Sequence, residues 1–222
     1  MSGGGDSEGA KLPQPKLKLY QFPESGNSRI VRLVLAEKNL AFERVNIDVL
    51  KGENRTPEFL KLNPRGKVPV LVHSTGDGDV VLYESTVINE YLEDVFREPS
   101  LMPPTAAGRA LMRLFIHLYD TEVSPISGPL IIESLLKSED QRRPDFIGQQ
   151  QAKTRAVLAR VVEMMGTGPY LVGESYTLAD ASYTPVLATL GACGIDLNTE
   201  FSKLADWLRA IKSRASYKAS AE

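Results

Sequence analysis

The sequence predicts two unlike parts, an α/β domain of order βαβ-α-ββα through about residue 96 and an all-α part after it. Three observations support this. Strand and helix patterns alternate from Leu17 to about Asp94, a proline-interrupted stretch follows Phe96, and the patterned segments beyond that stretch have helical periodicity.

"LKLY" (17–20) and "AFERVNI" (41–47) read as strands, and between them Ile30, Val31, Val34 and Leu35 recur at helical spacing over 28–39, which makes a βαβ unit. In "RTPEFLKLN", Thr56 is an N-cap, Pro57 takes the first helical position and Glu58 the first turn, so a short helix runs to about Asn63. "VPVLVHSTGDGDVVLY" is a β-hairpin about Gly-Asp-Gly, with Val68, Val70, Leu71 and Val72 in its first strand. "ESTVINEYLEDVF" closes the domain as a helix with Val87, Ile88, Tyr91, Leu92 and Val95 on its apolar face. Pro99, Pro103 and Pro104 mark a linker over 97–106 between a domain at 17–96 and a helical domain at 107–222. Helices are expected at 105–122, 128–138, 145–166, 178–190 and 201–214, the fourth opened by a capping-box-like pair, Thr177 and Asp180. Residues 1–16, Gly/Ser-rich and acidic, read as a disordered tail without the pattern of a signal or organelle presequence.

Composition narrows the function classes. Of the 222 residues 26 are basic and 28 acidic, spread through the chain, so there is no basic stripe for nucleic acid and no polybasic membrane patch. No apolar run approaches the ~20 residues of a membrane span. A small molecule or a protein partner is expected. The lone cysteine, Cys193 in "LGACGI", reads as a packed thiol in a reducing compartment. His73 and His117 are the only histidines, with no cysteine near either and no Glu-x-x-His pattern, so no metal site is expected.

Two places carry chemistry. Pro69 in "NPRGKVPVL" has no N–H for a sheet ladder. Either it starts an edge strand, or the chain turns sharply there and leaves backbone groups free. "QFPESGNSR" takes Ser25, Asn27 and Ser28 into the first helix, where N–H groups and the helix dipole favour an anion such as a thiolate. Ser28 is the better N-cap by position, which leaves Ser25 freer for a ligand.

"SGNSRIVRLVLAEKNLAFERVNIDV", "GENRTPEFLKLNPRGKVPVL", "LYESTVINEYLEDVF" and "YLVGESYTLADASYTPVL" together resemble the cytosolic glutathione transferase family, serine type, in order and spacing across 17–214. The resemblance implies a thioredoxin-like first domain, a helical second domain, glutathione as cosubstrate, a cytoplasmic homodimer and conjugation of the glutathione thiolate to small electrophiles in detoxification. It implies a cis bond before Pro69 that offers the Val68 backbone to the cysteinyl part of glutathione. Glu84 and Ser85 match the pair that holds the γ-glutamyl end, and Arg55 and Lys67 match contacts to the glycyl carboxylate. Asn54 departs from the histidine common beside the position of Arg55. Ser25 matches the serine that donates to the sulfur, with Asn27 and Ser28 as rivals. Lowering a thiol pKa by ~1–2 units asks for ~1.4–2.7 kcal/mol, within reach of one charge-assisted hydrogen bond and a helix end. Phe22, Pro23, Arg113 and His117 are expected around the electrophile, the last two on a polar helix face shared with Arg109 and Asp120. No cysteine stands at 25–28, which counts against thiol exchange. A glutathione-dependent isomerase or dehalogenase on the same site, and a non-catalytic binding or regulatory protein, are the alternatives.

Overall fold

A computed structural model describes residues 16–221; the stretch read as a disordered tail lies, but for Lys16, outside the described residues. The first part holds β1 (Lys16–Gln21), α1 (Gly26–Glu37), β2 (Glu43–Asn46), α2 (Pro57–Leu62), β3 (Val70–Thr75), β4 (Gly78–Tyr83) and α3 (Ser85–Val95), with a 3₁₀ turn at Glu53–Arg55. The sheet order is β2-β1-β3-β4, with β1 parallel to β2 and antiparallel to β3, and β3 antiparallel to β4. This is the expected thioredoxin-like arrangement. Alternation sets its faces: Leu17 and Leu19 of β1 are buried with Ile30, Val31 and Val34 of α1 and with Ile88 and Leu92 of α3.

The helical part comprises α4 (Ala106–Leu118), α5 (Ser124–Ile131), α6 (Pro144–Met164), α7 (Leu178–Leu187), α8 (Leu197–Glu200), α9 (Ser202–Ser213) and α10 (Ala215–Ala219). Every residue of α7 is buried, and its start is organised by Asp180. That carboxylate accepts from the Leu171 and Thr177 N–H groups at 2.9 and 2.8 Å, from the Thr177 hydroxyl at 3.0 Å and from Trp207 Nε1 at 2.7 Å. A second buried carboxylate fastens the segment between the parts: Glu93 pairs with Lys38 at 2.6 Å and accepts from the Leu101 N–H, while Lys38 donates to the carbonyls of Phe96 and Pro99.

Three expectations are corrected. The helices at 105–122 and 128–138 are one continuous run: between α4 and α5 the chain passes through a π-helical turn, Tyr119–Val123. Pro125 and Pro129 supply no N–H, and the ladder widens around them where a break was expected. The first hairpin strand starts at Val70, leaving Val68 outside it. On α3 Ile88 and Leu92 are buried in the core and Tyr91 packs against it half-buried, while Val87 and Val95 are 51% and 44% exposed. The i, i+3 and i+4 spacing was too broad a stripe for one helix face.

Candidate active site

Strand register places the site. Tyr20 of β1 pairs with Val70 of β3, and Val70 pairs with Tyr83 of β4, so the end of β1, the start of β3 and the end of β4 form one row across the sheet. Each strand carries a site segment just past that row: 22–28 after β1, 63–69 before β3 and Glu84–Ser85 after β4. Neighbouring strands lie ~4.8 Å apart, so the row spans ~10 Å.

The segment after β1 is a turn closed by the Ser25 N–H on the Phe22 carbonyl at 3.0 Å. Ser25, not Ser28, is the N-cap of α1: its Oγ accepts from the Ser28 N–H at 3.3 Å. Capping uses Oγ as an acceptor and leaves its proton to donate. Ser28 is fully buried, and its Oγ accepts from the Phe22 N–H at 3.4 Å, while Asn27 is exposed. Ser25 is half-buried, and its hydroxyl proton is not used by the cap.

The Val68–Pro69 bond is cis. Among the described residues the Val68 N–H and C=O make no hydrogen bond, so its backbone is unpaired two residues before the strand. Two buried asparagines hold the loop that carries it. Asn54 Nδ2 donates to the Gly66 carbonyl and Asn63 Nδ2 to the Lys67 carbonyl, each at 2.7 Å, and Asn63 Oδ1 accepts from the Arg65 N–H at 3.0 Å. Gly66, at φ 60°, is required: a Cβ there would lie 2.6 Å from Arg55 Nη1 and 2.9 Å from the Asn54 carbonyl. Arg55 donates to the Arg65 carbonyl at 3.3 Å, and Lys67 is exposed beside Val68. Arg55, Arg65 and Lys67 thus bring three cations to one loop.

Glu84 caps α3 with φ 68°, unusual for a residue with a Cβ, and its carboxylate meets Arg65 Nη1 at 2.5 Å. Ser85 is buried at the first position of α3, and no side chain caps the helix, so its leading N–H groups stay open to an anion. Thr86 donates to Asp120 at 2.9 Å. Partial desolvation raises the Asp120 carboxyl above its ordinary value; the Thr86 hydrogen bond and His117 oppose this, and the charge of Glu84 adds to it.

The four residues expected around an electrophile are spread out. Pro23 joins Ser25, Ile131, Pro185, Val186 and Thr189 in a cavity of about 240 Å³. Arg113 is held by Glu90 at 3.2 Å and lines a separate cavity with Arg97 and Arg109. Phe22 anchors the turn through its backbone, and His117 is exposed on α4 beside Asp120. Sequence reasoning passed over Arg65 and Asn63, although both stand in "NPRGKVPVL". It also passed over Arg32, a cation inside the apolar run "IVRLVL".

Residues 15–94 match the family model of the glutathione S-transferase N-terminal domain, and residues 135–210 that of the C-terminal domain. Glutathione S-transferase 3 of Zea mays is 35% identical over 179 residues, 79% of each chain. Protein LigF of Sphingobium is 35% identical over 239 residues, 91% of each chain. The crystal structure of LigF, a beta-etherase, superposes with a TM-score of 0.78 at 31% identity, covering 92% of this chain and 98% of that one. The glutathione transferase URE2P8 of Phanerochaete chrysosporium, solved with oxidized glutathione, superposes with a TM-score of 0.82 at 25% identity over 95% of each chain.

Proposed function

Because the chain belongs to the glutathione transferase family, we propose that it binds glutathione along the Tyr20–Val70–Tyr83 row and conjugates it, as thiolate, to a small electrophile. The observation that carries the reading is the spacing of that row. With strands ~4.8 Å apart, the row brings the turn at Ser25, the backbone of Val68 and the start of α3 within reach of one tripeptide, whose extended length is ~10 Å. In this reading the cysteinyl backbone adds to Val68 as a further strand would. The γ-glutamyl carboxylate sits on Ser85 and the open N–H groups of α3, its ammonium on Glu84, and the glycyl carboxylate near Arg55 and Lys67.

Ser25 donates its hydroxyl proton to the sulfur. The thiol loses its proton to solvent, the thiolate forms a bond to the electrophilic carbon, and a leaving group departs with its electron pair, or an addition product takes up a proton. The serine is not a base; it stabilises the anion that attacks.

A second reading draws on LigF, a beta-etherase 35% identical over nearly the whole chain. There the leaving group would be an aryloxide, and the same Ser25-stabilised thiolate would displace it. We also assign a second copy of the chain to the exposed apolar side chains Val81 and Tyr83 on β4, Val87 on α3 and Leu114 on α4, and place the homodimer in the cytoplasm, where the buried Cys193 thiol stays reduced. Calorimetric titration with glutathione, followed by turnover with an activated aryl halide and an aryl ether, tests the function. Micromolar-to-millimolar binding with product formation supports it, and no heat of binding overturns it.

A further inference from the structure

Arg32 lies in an α1 stretch where Ile30 through Leu35 are all buried, and it is itself 3% exposed. Each guanidinium nitrogen donates to one neutral acceptor on a different segment. Nη2 reaches the Pro23 carbonyl at 3.0 Å, Nη1 the Gln21 side-chain oxygen at 2.6 Å and Nε the Ser220 carbonyl at 2.8 Å. Among the described residues no carboxylate is in ion-pair contact with it. Burial, and then the charges of Arg44 and Arg29, lower its pKa to about 10 against a small opposing effect of Glu24.

A buried cation held by neutral acceptors is costly, and packing alone would be met by a leucine or methionine. What a leucine cannot do is bridge three acceptors. One of them, the Pro23 carbonyl, is at the middle of the turn that presents Ser25, two residues on. Another belongs to the C-cap of α10, and Arg29 grips the same helix end: its Nη2 donates to the Tyr217 carbonyl and its Nε to Ser220 Oγ, both at 3.3 Å, and its guanidinium stacks 4.5 Å above the Tyr217 ring.

We infer that Arg32 is a positioning residue for the reaction: it holds the Pro23 carbonyl so that the Ser25 hydroxyl faces the sulfur, and it makes the C-terminal segment part of that support. Its charge, with that of Arg29, adds to the helix dipole at the same turn and favours the thiolate. Neither arginine needs to touch glutathione, so the peptide's ends should bind as before.

This rests on the proposed role of Ser25, so Ser25→Ala accompanies Arg32→Gln and Arg32→Lys in the test. The measurements are the ultraviolet titration of bound glutathione thiolate and steady-state turnover. Arg32→Gln is expected to raise the bound-thiol pKa by about one unit and to lower kcat about tenfold, leaving the glutathione KM within about threefold. Arg32→Lys, which keeps the charge but loses the fork, is expected to lose about threefold in kcat. If Ser25→Ala leaves the thiol pKa unchanged, the serine reading fails and the inference fails with it. If Ser25→Ala raises the pKa but Arg32→Gln titrates and turns over as wild type, the inference alone is overturned. Should Arg32→Gln not accumulate as folded protein, Arg32→Lys decides: wild-type kcat and thiol pKa with only a lower melting temperature would show Arg32 to be purely structural and overturn the inference.

Discussion

Replacing Glu84 by glutamine should separate affinity from stability. Its carboxylate is paired with Arg65 at 2.5 Å, but the two side chains are 45% and 55% exposed. An exposed pair contributes ~0.2–1 kcal/mol, which for a chain of this size is a shift of no more than ~4 °C in Tm. The proposed contact with the glutathione ammonium is charge-assisted and worth ~1.5–3 kcal/mol, a loss of roughly 10- to 150-fold in affinity. Glu84→Gly sharpens the test. At φ 68° a side chain costs ~1–3 kcal/mol that glycine avoids, while glycine's greater freedom in the unfolded chain returns ~0.5–1 kcal/mol of that. With the ion pair to Arg65 lost as well, the glycine variant should fall no more than ~1 kcal/mol below wild type in stability and bind glutathione as weakly as the glutamine variant. Calorimetric affinities and denaturant midpoints for both variants check this. Affinities within threefold of wild type would show Glu84 to be a helix-start residue with no ligand role.

Asp180→Ala should destabilise the fold by ~3–5 kcal/mol, since it strips the acceptor from four donors around the start of α7 and each orphaned buried donor costs ~1–3 kcal/mol with overlap among them. A denaturant midpoint within error of wild type would contradict this. The Arg143 hydrogen bond holds the Glu133 carboxyl down at about 2, with Lys137 helping against desolvation. A depressed carboxyl contributes stability that is complete above its unfolded value, ~4.3, and lost as pH falls toward the folded one. Wild type should therefore lose more stability between pH 5 and pH 2 than Glu133→Gln, and parallel acid limbs would refute the assignment. Val87→Arg or Leu114→Arg, each at a side chain assigned to a second copy, should shift sedimentation from a dimer to a monomer, and a wild-type monomer would remove the dimer from the account.

The first domain was readable because each of its elements carries a local signal. Thr56-Pro57-Glu58 sets the start of α2 and the Gly-Asp-Gly turn sets the β3–β4 hairpin, both independent of tertiary context. The α4–α5 run was misread as two helices because Pro125 falls in the expected break at 123–127, where packing against α6 and α7 supports a widened ladder that stays helical. The Ser25 cap was misassigned because position in "ESGNS" fits either serine. What decides it is that Ser28 is buried against the turn, and the pattern does not record burial. Arg65 escaped notice for a similar reason. Its partner is 19 residues away, across a register that no local pattern encodes. Arg32 was the missed residue with a visible signal, since it interrupts the apolar run Ile30–Leu35, every residue of which is buried.

In the proposed reaction Ser25 at the start of α1 stabilises glutathione as a thiolate, and ultraviolet titration of the bound thiol in wild type and Ser25→Ala at saturating glutathione reads this out. The wild-type pKa is expected ~1–2 units below the free thiol's and the variant's near the free thiol's, with glutathione affinity within a few-fold of wild type. A bound thiol that titrates identically in both proteins would contradict it.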